Sequence, residues 1–265
     1  MKQKTIKNHL RHVFDNFVSS VKDDEVKEAI QQGTIITGGA IASLLLQEEP
    51  NDYDMYFKDY STAKLVADYF AAEFNKQKSA SAAVEVISNK EENTVSVFVA
   101  SSGIAQAKTE KRYAPIFMSS NAITLNNDIQ LVLRFIGSPE EIHKNYDFVH
   151  CTSYWCSWDD NLECPKSALF ALLARELVYV GSLYPLASII RTRKFIRRGY
   201  SCTAGQYLKM CWQLNALDLT NIEVLRDQLT GVDALYFQSM LHALQDKDLS
   251  KVDSGYLFNV IDEYF

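Results

Sequence analysis

Asp52 and Asp54, two apart in the run Asn51-Asp52-Tyr53-Asp54, are the residues of this chain best arranged to do chemistry. Successive side chains on a β-strand alternate between faces, so these two positions present both carboxylates on one side. Paired carboxylates suit a hard divalent cation, Mg²⁺ or Mn²⁺, and Mg²⁺ typically completes its shell with substrate phosphates. Upstream lie Gly38 and Gly39, which have no side chains to keep a phosphate from the backbone where helix N–H groups point outward. Ser43 follows one helical turn later and could meet a triphosphate, or equally bond its own helix backbone. A cation site facing a phosphate cradle is equipment for phosphoryl transfer. One ion rests on the triphosphate, and a second lowers the pKa of the attacking hydroxyl. The plainer alternative is a solvated junction between turn and strand, but it leaves the upstream glycines and the spacing unexplained.

The elements that must hold these residues follow from periodicity. Ile6, Leu10, Val13, Phe14, Phe17 and Val21 mark one face of a helix over 5–21, and a second helix runs from Asp24 to Gln32 with Gly33 as its stop. The stretch 33–58 reads as apolar strand, glycine pair, short helix, polar turn and second strand. Ser61 is placed to cap a helix over STAKLVADYFAAEFNK. Between residues 82 and 133 the runs VEVIS, VSVFVA, PIFMSS and IQLVLRF are short and rich in β-branched or aromatic residues, as strands are. Ser138-Pro139-Glu140-Glu141 opens a short helix, and YDFVHC is a further strand candidate. The run SYWCSWDDNLEC reads as a loop or linker, with Tyr154, Trp155 and Trp158 packing two domains together. After Pro165 the pattern is helical, through KSALFALLARELVYVG, YPLASIIRTRKFIRRG and TAGQYLKMCWQL to Phe265. The expected fold is α+β: a mixed sheet with flanking helices in a head over residues 1–155, then an all-helical domain over 165–265.

Composition sets outer limits. Of 265 residues, 47% are hydrophobic and 23% charged, the balance of a soluble globular chain. No apolar run reaches the roughly 18 residues that a membrane span requires, and the N-terminal MKQKTIKNHLRHVF lacks the apolar core of a secretion signal. Five cysteines without regular spacing point to a reducing, cytoplasmic setting. His150, Cys151, Cys156 and Cys164 fall close together but form no CxxC, so core or loop positions fit better than zinc. A net charge of −6 excludes a wholly basic nucleic-acid coat. Between Glu176 and Asp218, however, no acidic residue occurs, while Arg191, Arg193, Lys194, Arg197, Arg198 and Lys209 all do. Arg193 and Arg197 are four apart and share a helical face.

The glycine pair, the Leu44-Leu45 that follows and the Asp-x-Asp strand together resemble the signature of the DNA polymerase beta-like nucleotidyltransferase superfamily. The flavour is that of class II tRNA nucleotidyltransferases and bacterial poly(A) polymerases, although that group usually carries Arg-Asp where this chain has Ala42-Ser43. Pro185, Leu186, Arg193, Arg197, Gly199 and Tyr200 fall at spacings similar to the neck helix of the same group. The resemblance implies transfer of a nucleoside monophosphate from an NTP to a hydroxyl acceptor, foremost an RNA 3′ end, tRNA included. It implies Mg²⁺ or Mn²⁺ on Asp52 and Asp54, a triphosphate cradled by Gly38, Gly39 and Ser43, and nucleotide or RNA contacts from Arg193 and Arg197. A third carboxylate is usual in such sites. Asp147 is favoured for it, Glu85 competes, and Gln130 sits in the kind of strand that carries the acid in many members. With an amide there and no other acid, the chain would instead be an inactive nucleotidyltransferase-fold module that binds RNA or protein.

Overall fold

Burial of Ile6, Leu10, Phe14 and Phe17 along one stripe explains the first helix, α1 (Gln3–Ser20), in the computed structural model, which describes residues 2–99, 103–219 and 221–229. Helix α2 (Asp24–Gly33) starts where the Asp23 carboxylate accepts the N–H groups of Glu25 and Val26 at 3.0 and 3.1 Å, satisfying donors that the helix itself cannot. Strand β1 (Thr34–Thr37), helix α3 (Gly39–Leu45) and strand β2 (Tyr53–Phe57) follow as the sequence pattern predicts. Helix α4 (Tyr60–Asn75) is capped by Asp59, whose carboxylate accepts from Thr62 N–H at 2.8 Å. Ser61, the expected cap, lies inside the helix; the ionised oxygen two residues earlier is the stronger acceptor.

Strands β3 (Val84–Asn89) and β4 (Thr94–Val99) form a separate two-stranded hairpin. The remaining strands are β5 (Ile104–Gln106), β6 (Pro115–Ser119), β7 (Ala122–Leu125), β8 (Ile129–Ile136), β9 (Tyr154–Cys156) and β10 (Asn161–Glu163). With β1 and β2 they make an eight-stranded sheet in the order β10-β9-β1-β2-β8-β7-β6-β5. Its pairs are antiparallel except β2 with β8, which makes the sheet mixed. Short helix α5 (Pro139–His143) carries a full capping box between Ser138 and Glu141, as its sequence announces.

Residues 154–163, expected as a linker, are an edge hairpin. Trp155 is fully buried and meets Phe14 edge-on at 5.2 Å, while its indole N–H donates to Asp160 at 2.9 Å. Asp160 in turn pairs with Lys7 and Arg11 of α1 at 3.1 and 2.9 Å. Partners more than a hundred residues away in sequence order this hairpin, and three-residue strands carry too little alternation to be read locally. Of the three aromatic residues, Trp155 packs in the head's own core, and Trp158, on the surface, lies under the Lys58 ammonium at 5.1 Å.

YDFVHC is not a strand. Phe148 makes one isolated bridge to Tyr179, and Val149–Cys151 is a 3₁₀ turn. Helix α6 spans only Lys166–Ala174, because Arg175 takes a positive φ of 46°. Helices α7 (Pro185–Arg197), α8 (Ala204–Leu214) and α9 (Ile222–Leu229) complete the described chain, and the helical segments expected beyond residue 229 lie outside the described residues. Two compact units result. One holds the chain up to Asn145 with His150–Leu172; the other holds Tyr146–Val149 and the described residues from Leu173 onward. The fold is α+β, a large mixed sheet flanked by helices and followed by helices. No helix among the described residues is long and apolar enough to cross a membrane.

Trp155→Ala is expected to destabilise the protein by about 3–5 kcal/mol, as for large buried aromatics. Chemical denaturation monitored by far-UV circular dichroism measures this; a loss under about 1 kcal/mol would place the hairpin outside the core.

Candidate active site

Cross-strand register decides which side chains share a face. Thr37 of β1 stands directly opposite Tyr154 of β9 on one side and Asp54 of β2 on the other. Asp54 stands opposite Gln130 of β8, Gln130 opposite Thr124 of β7, and Thr124 opposite Phe117 of β6. Directly opposed residues project to the same side of a sheet. The row is therefore Tyr154, Thr37, Asp54, Gln130, Thr124 and Phe117 across six strands. The adjoining row, Trp155, Ile36, Met55, Leu131, Ile123 and Met118, is wholly buried in the hydrophobic core on the opposite face. One face of the sheet is thus apolar and packed against helices, and the other presents Asp54.

Asp52 precedes β2 by one residue and is exposed. It lines a cleft of about 290 Å³ together with Thr124, Asn126, Asp128 and Gln130. The β7–β8 turn that carries Asp128 is tight: Asn127 and Asp128 both take positive φ, 67° and 61°, which Asn and Asp tolerate better than most residues. Tyr53 N–H donates to the Asp128 carbonyl at 2.7 Å, tying this turn to the start of β2. Tyr53 itself points the other way. Its hydroxyl lies 2.6 Å from His9 Nε2, and burial first, then the charges of Asp128 and Glu49, push the phenol up to about 12. Tyr53 stays protonated and anchors the strand between the two aspartates onto α1.

Gly38, at the N-cap of α3, has φ 90° and ψ −143°, a conformation that only glycine adopts without strain. Gly39 is different: a methyl group built on it meets nothing within 4 Å. Packing does not require glycine at 39, and open space adjoins the turn. Ser43 is buried on α3. These residues, with Asp52 and Asp54, belong to the first unit.

The other expected site residues lie elsewhere. Asp147 belongs to the second unit, in an irregular segment and not on a strand, and its carboxylate pairs with the Arg191 guanidinium of the same unit. Glu85 is exposed on β3, in the two-stranded hairpin and not in the main sheet. Gln130 is the residue that the register sets beside Asp54. Arg193 and Arg197 are exposed on α7 in the second unit. Among the described residues, no group of three or more His, Cys, Asp and Glu side chains is placed to hold a metal ion. The oxygen donors of this face (carboxylate, amide and hydroxyl) fit a hard cation held by Asp52 and Asp54 with phosphates filling its shell.

Neither Asp128, in the polar turn LNND, nor His143 is among the residues that the sequence puts forward for the site. His143 Nε2 lies 2.8 Å from Thr37 Oγ1, and its ring centroid is 5.6 Å from that of Tyr154. Burial pushes His143 down to about 4, against a smaller opposing effect of Glu140.

The chain belongs to the Gabija anti-defense 2 family. The family model matches residues 8–175. A Gabija anti-defense 2 protein of Bacillus phage SPbetaL7 is 22% identical over 230 residues, which is 86% of this chain and 49% of that protein. The chain thus spans about half the length of this relative. Among solved structures it is similar to a Thermotoga maritima CCA-adding enzyme complexed with tRNA (TM-score 0.44, 12% identity, 88% of this chain and 53% of that one). It is also similar to a Bacillus stearothermophilus CCA-adding enzyme in complex with CTP (TM-score 0.40, 12% identity, 78% and 44%). The tRNA nucleotidyltransferase flavour of the sequence is thus a likeness, and family membership lies with Gabija anti-defense 2.

Gly39→Ala is expected to leave the melting temperature unchanged or slightly raised, since nothing crowds the position. If a triphosphate docks at this turn, the same change should weaken Mg²⁺–NTP binding, measured by calorimetry, because the added methyl enters the open space beside Gly39. Unchanged binding would remove Gly39 from the site. A second expectation concerns pH. The folded protein holds His143 neutral down to about 4, while the unfolded chain protonates it near 6.5, so the unfolded state binds more protons between these values. The stability this contributes is complete above about pH 6.5 and is lost as pH falls towards 4, by at most about 3 kcal/mol. Denaturant titrations across that window should show a shallower acid slope for His143→Gln.

Proposed function

We propose that this chain is a metal-dependent nucleotidyltransferase that moves a nucleoside monophosphate from an NTP to a hydroxyl acceptor, with an RNA 3′ end, tRNA included, as the favoured acceptor. The observation that carries this reading is the placement of Asp54 in a row on the face opposite the core, with Asp52 lining a cleft beside Gln130 and Thr124 of that row. Asp52 and Asp54 hold the cation, and the backbone at Gly38 and Gly39 takes the triphosphate, with Ser43 nearby on the same helix. A cation held there would supply charge neutralisation for the triphosphate. The acceptor oxygen attacks the α-phosphorus, the bond to the bridging oxygen breaks, and pyrophosphate leaves with the electron pair. The hydroxyl proton passes to solvent or to a carboxylate of the site. Arg193 and Arg197 supply guanidinium forks suited to phosphate and base edges of the RNA. The phage relative is named for an anti-defense role.

A second reading has its own support. The acid that such sites usually carry on the neighbouring strand is an amide here, because Gln130 is the residue paired with Asp54. Asp147, the acid first favoured for that role, has Arg191 as its counter-ion. If the amide cannot serve, the chain is a binding module that keeps the fold without the reaction.

Incubation with labelled NTPs, Mg²⁺ or Mn²⁺ and total RNA separates the two readings. Label is expected in RNA, and the double change Asp52→Ala, Asp54→Ala should bring it to background. Label in protein would move the acceptor, and label that survives the double change would put the site elsewhere. No label with either metal would favour the binding module.

A further inference from the structure

The row bearing Asp54 is flanked on its β1 side by a hydrogen-bonded pair to which the transferase reading assigns no role. Thr37 Oγ1 lies 2.8 Å from His143 Nε2 and 2.9 Å from the Ser153 carbonyl oxygen. A hydroxyl has one proton, and a carbonyl can only accept. Thr37 therefore donates to Ser153, and the Thr37 oxygen accepts from His143 Nε2–H. The opposite tautomer would leave a nitrogen lone pair facing the hydroxyl oxygen across 2.8 Å. Burial, which holds His143 uncharged, is consistent with a neutral donor.

Three segments meet at this oxygen: His143 ends α5, Thr37 ends β1, and Ser153 immediately precedes β9. Thr37 is fully buried and stands directly opposite Asp54, where cross-strand Cβ atoms lie about 4.5–5.5 Å apart. We propose that His143 is a positioning residue of the carboxylate site: through Thr37 it fixes the end of β1 beside Asp54, and so sets where that carboxylate meets a divalent cation. This rests on the transferase reading above. Losing the Nε2–H donor leaves a buried hydroxyl oxygen one partner short, and the end of β1 relaxes to recover it. Partners that orient a ligand in this way change metal affinity by about 10–100-fold when removed. If His143 and Thr37 merely tied the hairpin to the sheet, their loss would lower stability and leave the folded protein's cation affinity unchanged.

Mn²⁺ titration followed by electron paramagnetic resonance, without nucleotide, tests this on the full chain. Each variant is first checked for folding by circular dichroism at the working temperature. His143→Leu is expected to weaken Mn²⁺ binding about tenfold or more. His143→Gln keeps an N–H donor and should stay within about threefold of the unmodified protein. Thr37→Val should match His143→Leu, and the double variant should be no weaker than either single one, since both break the same link. A folded His143→Leu that binds Mn²⁺ like the unmodified protein overturns the proposal, as does a Gln variant as weak as the Leu variant. Failure of the underlying reading looks different: the unmodified protein then binds no Mn²⁺, or binds it as well after Asp54→Asn, and the positioning role falls with it.

Discussion

A sheet with one apolar face tolerates only one register, and everything proposed for this protein depends on that constraint. Slipping β2 by a single residue would turn Met55 and Phe57 towards the face that now carries Asp54 and press Asp54 into the core. The burial of Ile36, Met55, Leu131, Ile123 and Trp155 against the helices is thus also what presents Asp54 on the other side. Tyr53 reinforces the choice, because its hydroxyl finds His9 on α1 only when the strand has this phase. Sheet packing and site presentation are one physical fact seen from two faces.

The same register explains why the site is unusual. The parallel pairing of β2 and β8 places an amide beside the carboxylate that faces it. An amide oxygen can ligate a hard cation but brings no negative charge, so a cation at the proposed site would meet two carboxylates and not three. On the other flank stands the half-buried His143 imidazole, bonded to the Thr37 hydroxyl. In its cross-strand row Asp54 thus stands between Thr37 and Gln130, and Asp52, one residue before the strand, is the nearest acid in sequence.

The second unit is organised by different forces. Phe148 packs near Tyr179 and Phe195 at 5.9 and 5.6 Å, and Phe195 near Tyr200 at 5.7 Å. The same unit holds the ion pair of Asp147 with Arg191, in which the carboxylate is the more buried partner. That is why Arg191 differs from Arg193 and Arg197, although all three belong to one basic run: one guanidinium is used within the fold, and the other two are exposed.

Much was legible from the chain alone. Periodicity gave the first helices, the strand–helix–strand around the glycines and the Ser138 capping box, because each rests on contacts within a few residues. The aspartate pair and the glycine turn could be picked out for the same reason. What only the tertiary structure decided needed partners distant in sequence. The 154–163 hairpin exists because Phe14, Lys7 and Arg11 receive it. Asp147 turned towards Arg191, and no local pattern distinguishes an acid beside a cation from an acid beside a metal. The neighbours of Asp54, namely Gln130 and the Thr37–His143 pair, became neighbours only when β1, β2 and β8 settled into register and α5 met the end of β1, and register is a property of the packed core rather than of any one segment.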